Sequence, residues 1–321
     1  MPVPIPFPTV IMICLFAACW SGDAGESRVG SYRGSITWDG LERTYLIHVP
    51  TSWNKSTRMP LVIALHGGTG TGETMVKMTR GGFDALADRD GFIVVYPDGL
   101  THAGRIRTRW NDGRDDRFSQ ADDVGFLSAL IDHLGETLNI DRCRVYATGI
   151  SNGAQMVMRL ARELPDKIAA VAPVAYAMPE RLASVPVSTR PISVLVMTGT
   201  KDPLIPWEGG ETPDFSGERR LGRLLSLPRT LQVLATHNRC TDWPKPAWVS
   251  HEDAGTGPRI RQERWVNCKN GVEVVLCAVE GGGHTWPGGL QSPETPASET
   301  NRASDACEII WAFFKRHQKS N

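Results

Sequence analysis

The chain has 321 residues, with 35 Lys and Arg balanced by 35 Asp and Glu, 41% hydrophobic residues and 22% charged ones. At roughly 100–200 residues per domain it can bury a full hydrophobic core, and so ordinary a composition excludes disorder, collagen and coiled coil. The balanced charge leaves no electrostatic footprint for nucleic acid or an anionic membrane surface, which points to a small or neutral partner.

Thr9–Trp20 is the one strongly apolar run, and it is too short for a bilayer core that needs about 20 helical residues. Followed by Ser21-Gly22-Asp23-Ala24-Gly25, it fits the apolar and cleavage regions of a secretory signal. Residues 1–24 are therefore read as a leader and 25–321 as one catalytic domain, secreted to the extracellular space or periplasm. Two features depart from the usual pattern: no basic residue precedes Arg28, and Pro2, Pro4, Pro6 and Pro8 crowd the start. Leu15–Cys19 also resembles a lipoprotein box, with Phe16 where Leu is usual, which makes Cys19 a candidate lipid anchor.

Ser31–Trp38 and Arg43–Val49 alternate in strand fashion around Asp39-Gly40, a hairpin signal. Short apolar runs then alternate with helical patterns. Leu61–Leu65 precedes a helix-like stretch to Asp88, Phe92–Tyr96 precedes a helix over Asp123–Leu138, and Val145–Thr148 follows. Beyond them come Ile168–Val174, Ile192–Thr198, a helix near Pro228–Asn238, Val272–Val279 and a last helix ending in Ile309–Phe314. Near-continuous Val, Ile and Leu runs separated by helices predict an α/β fold, a mostly parallel sheet with helices on both faces and an antiparallel N-terminal edge. Neither a repeat nor a linker to a second module is present. The long irregular stretches, Pro203–Leu221, Trp243–Pro258 and Trp286–Thr300, are where substrate contacts are expected.

Gly149-Ile150-Ser151-Asn152-Gly153 matches G-x-S-x-G. Such a short motif is weak alone, but this one follows the strand-like Arg144–Thr148 and precedes a helical pattern from Ala154. A strand-to-helix elbow exposes a serine on a strained turn, so Ser151 is the candidate nucleophile. A serine hydroxyl needs a general base and a carboxylate to orient it, in the chain order Ser, acid, His. Asp202, in Gly199-Thr200-Lys201-Asp202-Pro203 after a buried-strand run, is the candidate acid, with an Asx-turn role as the alternative. His284, in Gly281–Gly289 after the last predicted strand, is the candidate base. His237 is read in a helix, His251 in a polar loop and His317 in the tail of the last helix. Asp122 and Asp123 compete with Asp202 but precede Ser151 and look like a helix start. Two backbone donors must meet the oxyanion. Asn152 supplies one, and the Leu65–Gly70 loop supplies the other through Gly68, with Thr69 the next choice.

If the leader is removed, five cysteines remain, Cys143, Cys240, Cys268, Cys277 and Cys307, and an oxidising compartment would pair some of them. Cys240 and Cys268 bracket a polar segment containing Pro and Gly and are the preferred pair. Cys143, beside a core strand, is read as a small buried hydrophobe.

Taken in this order, His66-Gly67-Gly68, Gly91–Gly99, Trp110-Asn111, Asp122–Phe126, Tyr146–Gly153, Gly199–Pro203 and Gly281–Gly289 resemble the polyhydroxybutyrate depolymerase and feruloyl esterase family of secreted α/β-hydrolases. The resemblance runs from about Ser31 to Lys315. It implies ester hydrolysis through an acyl-serine intermediate without metal or organic cofactor, and it also places Cys240 and Cys268 at the family's paired positions. Cys143, Cys277, Cys307 and the residue after the oxyanion-loop glycines lie outside its pattern. Depolymerases of solid polyester often carry a linker and a surface-binding module, and this chain has neither. That shifts weight to soluble or accessible esters, such as feruloyl or acetyl groups on polysaccharide or hydroxyalkanoate oligomers. Trp286, Trp207 and Trp110 are candidate substrate contacts, with core packing as the alternative. An acyltransferase or a serine peptidase would share the triad, whereas a non-enzymatic binding protein should have lost part of it. No stable protein partner is implied.

Overall fold

The Val-, Ile- and Leu-rich runs form strands buried along their whole length, as strands covered on both faces must be. The computed structural model describes residues 29–101, 108–114, 120–213, 220–242, 244, 246–249, 259–290 and 304–319. The leader, Cys19 and His251 lie outside the described residues.

In chain order the elements begin with β1 (Gly30–Trp38), β2 (Leu41–Val49), β3 (Met59–Leu65), α1 (Gly72–Met78), α2 (Gly82–Asp90) and β4 (Ile93–Pro97). Next come the two-residue strands β5 (Leu100–Thr101) and β6 (Thr108–Arg109), then α3 (Asp123–Leu138), β7 (Ile140–Ile150), α4 (Asn152–Glu163), β8 (Ala170–Val174) and β9 (Ser193–Gly199). The chain finishes with β10 (Gly210–Pro213), β11 (Arg220–Leu224), α5 (Leu227–His237), β12 (Ala247–Val249), β13 (Ile260–Trp265), β14 (Val274–Val279) and α6 (Ala306–Phe314).

Ten strands form one sheet in the order β1-β2-β4-β3-β7-β8-β9-β14-β13-β12. From β4 to β14 the neighbours are parallel, and β3, β4, β8, β9 and β14 are buried throughout. The expected antiparallel edge is present, with β1 paired to β2 from Gly30↔Val49 to Trp38↔Leu41. A second antiparallel edge, β13 and β12 beyond β14, goes unread in the sequence: Ile260–Trp265 is IRQERW, with too few apolar residues to register. The single helix-like stretch to Asp88 is two helices, because Arg80 and Gly81 turn left-handed at φ 55° and 67°.

Parallel order puts the C-terminal ends of β3, β7, β8, β9 and β14 on one edge. Backbone hydrogen bonds stitch the loops above that edge. Ser151 N–H donates to Val174 O (3.0 Å), Ala175 N–H to Met197 O (2.8 Å), Thr200 N–H to Val279 O (3.0 Å) and Lys201 N–H to Gly282 O (2.9 Å). Among the described residues no helix is long and apolar enough to cross a membrane.

Candidate active site

Ser151 follows the last residue of β7 and precedes the first of α4, at φ 58° and ψ −117°. Such a backbone costs a non-glycine residue on the order of 1–3 kcal/mol and persists only where its surroundings over-determine it. Here they do: a Cβ on Gly153 would overlap the carbonyl oxygens of Leu65 and His66, so α4 starts against the end of β3 as only glycine permits. The motif's last glycine is thus needed for close approach between helix and strand.

Asp202 lies three residues beyond β9 and His284 five beyond β14. His284 Nδ1 and Asp202 Oδ2 are 2.8 Å apart, and both residues are 4% exposed. The other carboxylate oxygen, Oδ1, accepts from Leu204 N–H (2.8 Å) and Ile205 N–H (2.9 Å). The Asx-turn reading and the pairing with histidine therefore describe one side chain, with one oxygen anchoring the loop and the other facing the imidazole. The two loops fit because position 199 is glycine; a Cβ there would overlap the Gly282 backbone.

The Leu65–Gly70 loop lies over the elbow, and a Cβ on Gly67 would stand 3.6 Å from Ser151 Cβ and one on Gly68 3.8 Å from Asn152 Cβ. Thr69 N–H donates to Thr108 O at 2.9 Å, which commits it elsewhere and favours Gly68 of the two candidate donors. Asn152 opens α4, where a backbone N–H has no partner within the helix.

Sequence reasoning read His66 only as part of this loop. It is 1% exposed, with Nδ1 2.7 Å from Gly67 O and Nε2 accepting from Gly99 N–H at 2.9 Å. One neutral tautomer satisfies both contacts, with the proton on Nδ1. Burial pulls its pKa down to about 4, against smaller upward effects of Gly67 O and Asp98. His66 therefore clamps the loop to the turn after β4. The sequence signal that could have found it is a histidine directly between a buried strand and a glycine pair.

The Asn152 side chain is equally committed. Its Nδ2 donates to Asp112 Oδ2 (2.6 Å) and Trp110 O (3.2 Å), and its Oδ1 accepts from Trp110 N–H (2.8 Å). Asp112 also accepts from Arg114 at 2.7 Å; burial raises its pKa, but Arg114 and Arg109 outweigh that and leave it lowered. Behind this lies a buried ion pair, Arg43 with Asp123 at 2.7 Å, whose side chains are 2% and 0% exposed. Asp123 also accepts from Asn111 N–H at 2.6 Å, and burial keeps its pKa raised despite Arg43. Asp122 caps α3 through Gly125 N–H at 2.9 Å. Both aspartates that competed with Asp202 thus have structural partners away from His284.

Of the expected tryptophan contacts, Trp110 is 0% and Trp286 1% exposed. Trp110 donates to His66 O at 3.0 Å and lies against the His66 ring, centroids 4.9 Å apart with the planes tilted by 35°. Trp286 packs edge-on against Phe83 at 6.1 Å. As placed, neither indole offers a face to substrate, because each is spent on packing the loops; Trp207 is half-buried. Cys240 and Cys268 are disulfide-bonded, with Cα atoms 3.8 Å apart. Cys277 and Cys307 are buried free thiols, and Cys143, expected to be buried, is half-exposed at the start of β7. Burial pushes the Cys277 thiol up to about 12. His317 is bound to Glu273 at 3.0 Å, and His237 ends α5. Among the described residues no group of three His, Cys, Asp or Glu side chains is placed to hold a metal ion.

The family described as Esterase PHB depolymerase matches residues 43–181. "Putative esterase NocK" of Nocardia uniformis subsp. tsuyamanensis is 34% identical over 268 residues, 80% of this chain and 74% of that protein. Feruloyl esterase B of Piromyces equi is 28% identical over 75% of this chain, which spans only 42% of that protein's length. Poly(3-hydroxyalkanoate) depolymerase C of Paucimonas lemoignei is 33% identical over 129 residues, 40% of this chain and 30% of that protein. Among solved structures, the acetyl xylan esterase from Aspergillus awamori shares the fold, with a TM-score of 0.55 at 16% identity over 88% of this chain and 99% of that one.

Proposed function

Because the chain belongs to the esterase family of the PHB depolymerases and is a carboxylic ester hydrolase, we propose that it works through an acyl-serine intermediate on Ser151. The observation that carries this reading is the buried Asp202–His284 contact, 2.8 Å long, on the sheet edge that also carries the strained Ser151. In the proposed cycle His284 Nε2 takes the Ser151 hydroxyl proton as Oγ attacks the ester carbonyl. The imidazolium then returns that proton to the departing alcohol, and water repeats the sequence on the acyl-enzyme. Asp202 holds the proton-bearing Nδ1 and stabilises the ring while it is charged. The N–H groups of Gly68 and Asn152 donate to the oxyanion. No step calls for a metal or organic cofactor.

The substrate class we assign is an acyl ester on polysaccharide, feruloyl or acetyl, or a hydroxyalkanoate oligomer, as the names of the relatives suggest. Residues 25–321 are proposed to act as one catalytic domain behind a leader at 1–24, exported from the cytoplasm. The Cys240–Cys268 disulfide supports export, since such bonds persist in oxidising compartments.

The test is a substrate panel of 4-nitrophenyl butyrate, methyl ferulate, acetylated xylan and hydroxybutyrate oligomers, with a 4-nitroanilide and an acceptor alcohol added. Ester turnover abolished by Ser151→Ala, with a serine-directed phosphonate labelling Ser151 stoichiometrically, is the expected result. Labelling of another residue, or turnover surviving Ser151→Ala, refutes it. Preferred cleavage of the anilide would make the protein a peptidase, and predominant transfer to the alcohol an acyltransferase.

A further inference from the structure

The two donors proposed for the oxyanion sit on separate elements, Gly68 on the loop after β3 and Asn152 at the head of α4, and neither carrier fixes itself. Gly67 and Gly68 have no Cβ to restrict their backbone. Thr69, which follows them, is held at φ 73°, a left-handed backbone that a non-glycine residue keeps only where its surroundings impose it. On the other side α4 begins without a cap from its own chain, because Ser151 stands at the cap position with no side-chain hydrogen bond to the helix. The spacing between two such donors has to be set from outside.

One short segment, Thr108–Trp110, reaches both carriers. Trp110 is buried, and its main chain pairs twice with the Asn152 amide: its N–H donates to Oδ1 at 2.8 Å and its carbonyl accepts from Nδ2 at 3.2 Å. An amide side chain offers that donor and acceptor side by side. The indole goes to the other carrier, where Nε1–H donates at 3.0 Å to His66 O, the carbonyl directly before Gly67-Gly68. Two residues earlier in the segment, Thr108 O accepts from Thr69 N–H at 2.9 Å, and the Thr108 hydroxyl donates to Gly70 O. The loop is thus held on both sides of its glycine pair, and Asn152 is held by the same stretch of backbone. That stretch is itself seated: β6 pairs with β5 through Leu100↔Arg109 and Thr101↔Thr108, and a Cβ on Gly99 would stand 3.1 Å from Arg109 O.

We infer that Trp110 and Thr108 are positioning residues for ester hydrolysis, which fix the separation and aim of the Gly68 and Asn152 N–H groups without touching substrate. The inference rests on the acyl-serine reading, and it gives Trp110 a role that neither substrate contact nor plain core packing supplies. Deleting an oxyanion donor costs about 10²–10³-fold in kcat. Loosening the brace moves the donors rather than deleting them, so it should cost part of that factor. The loss should fall on the transition state, where the oxyanion exists, and spare ground-state binding.

Trp110→Phe keeps a ring and the backbone bonds to Asn152 but loses the indole N–H, and Thr108→Val keeps shape and backbone but loses the hydroxyl. Kinetics on 4-nitrophenyl butyrate, per site titrated with a serine-directed phosphonate, are compared with the Ki of 1,1,1-trifluoroheptan-2-one. On that ketone Ser151 Oγ adds to the carbonyl carbon, the carbonyl pair becomes an oxyanion and the hydroxyl proton passes to His284, so its affinity reads the two donors. Trp110→Phe is expected to lower kcat about tenfold to a hundredfold. KM should stay within about threefold, while Ki rises by the factor that kcat loses. Thr108→Val should show the same pattern to a smaller extent, and Thr108→Ser, which restores the hydroxyl, should return to the parent values. The Thr108 variants carry the test if thermal melting shows Trp110→Phe unfolded. Unchanged kcat and Ki, a fall in kcat with Ki unmoved, or Thr108→Ser no better than Thr108→Val overturns the proposal. A ketone that binds the parent and the Ser151→Ala protein equally overturns the acyl-serine reading instead, and the positioning roles go with it.

Discussion

His66 makes the stability of the loop over Ser151 dependent on pH, with a magnitude that follows from its burial. Its pKa stands near 6.5 in the unfolded chain and about 4 in the folded protein, so the unfolded chain binds the proton more readily. The contribution is complete above pH 6.5 and is lost as pH falls from there through 4. The full loss corresponds to about 3.4 kcal/mol at 1.36 kcal/mol per pKa unit, of which about 2 kcal/mol has gone by pH 5. The structural cause is specific: a charged ring has no lone pair on Nε2, so the Gly99 N–H that donates to it at 2.9 Å would be orphaned in the interior. Urea unfolding followed by tryptophan fluorescence, at steps from pH 8 to pH 5, should be run on the parent protein and on His66→Gln, an amide that cannot titrate there. The parent's stability advantage should shrink by about 2 kcal/mol over that range. His133 and His237, whose pKa values burial also lowers, are common to both proteins and cancel. An advantage constant to within about 0.5 kcal/mol, or one that grows on acidification, refutes the reasoning.

Asp202→Asn should lower kcat by on the order of 10³–10⁴ while KM for a short ester changes far less, because the carboxylate acts on charge that develops only as the ring is protonated; near-native kcat removes Asp202 from the role. Arg43→Met should cost about 3–5 kcal/mol in urea unfolding by leaving the buried Asp123 carboxyl with the Asn111 N–H but without its guanidinium partner, and a cost below about 1 kcal/mol would mean that water reaches the site. Replacing Cys240 and Cys268 together with Ser should cost about 3–4 kcal/mol by the loop-entropy estimate for a separation of 28 residues; unchanged unfolding with and without reductant would contradict it.

The parallel centre of the sheet was legible because burial on both faces leaves a strand few polar positions. β3, β4, β8, β9 and β14 read as continuous apolar runs for that reason. β13 escaped because it lies toward the sheet's edge, where a polar sequence is tolerated. The same logic divides the site. Ser151, Asp202 and His284 announce themselves through glycine-flanked turns at strand ends, where close backbone approach restricts the residue types. The tryptophans had no such marker. A ring that packs a loop and a ring that receives a substrate have the same composition, and only the hydrogen bond from Trp110 to His66 O and the contact of Trp286 with Phe83 decide between them.

The least legible part is the polar scaffold beneath the elbow, because its members are far apart in the chain and individually unremarked. Arg43 sits on the antiparallel hairpin, Asp123 at the start of α3, Asn111 and Asp112 on the stretch after β6, and Asn152 at the head of α4. They connect in series: Arg43 to Asp123, Asp123 to Asn111 N–H, and Asp112 to the Asn152 side chain. Asn152 carries the backbone N–H proposed to face the oxyanion, so its position is set through its side chain by residues on three other elements. A donor worth a few kcal/mol in the transition state must already be in place when charge develops, and a helix N-terminus left to solvent frays. The buried ion pair, which burial makes expensive, is thus spent on anchoring the Trp110–Asp112 segment that grips Asn152. In a chain whose charges sum to zero the cost of burying Arg43 and Asp123 is invisible from composition, and the reason for it becomes visible only beside Ser151.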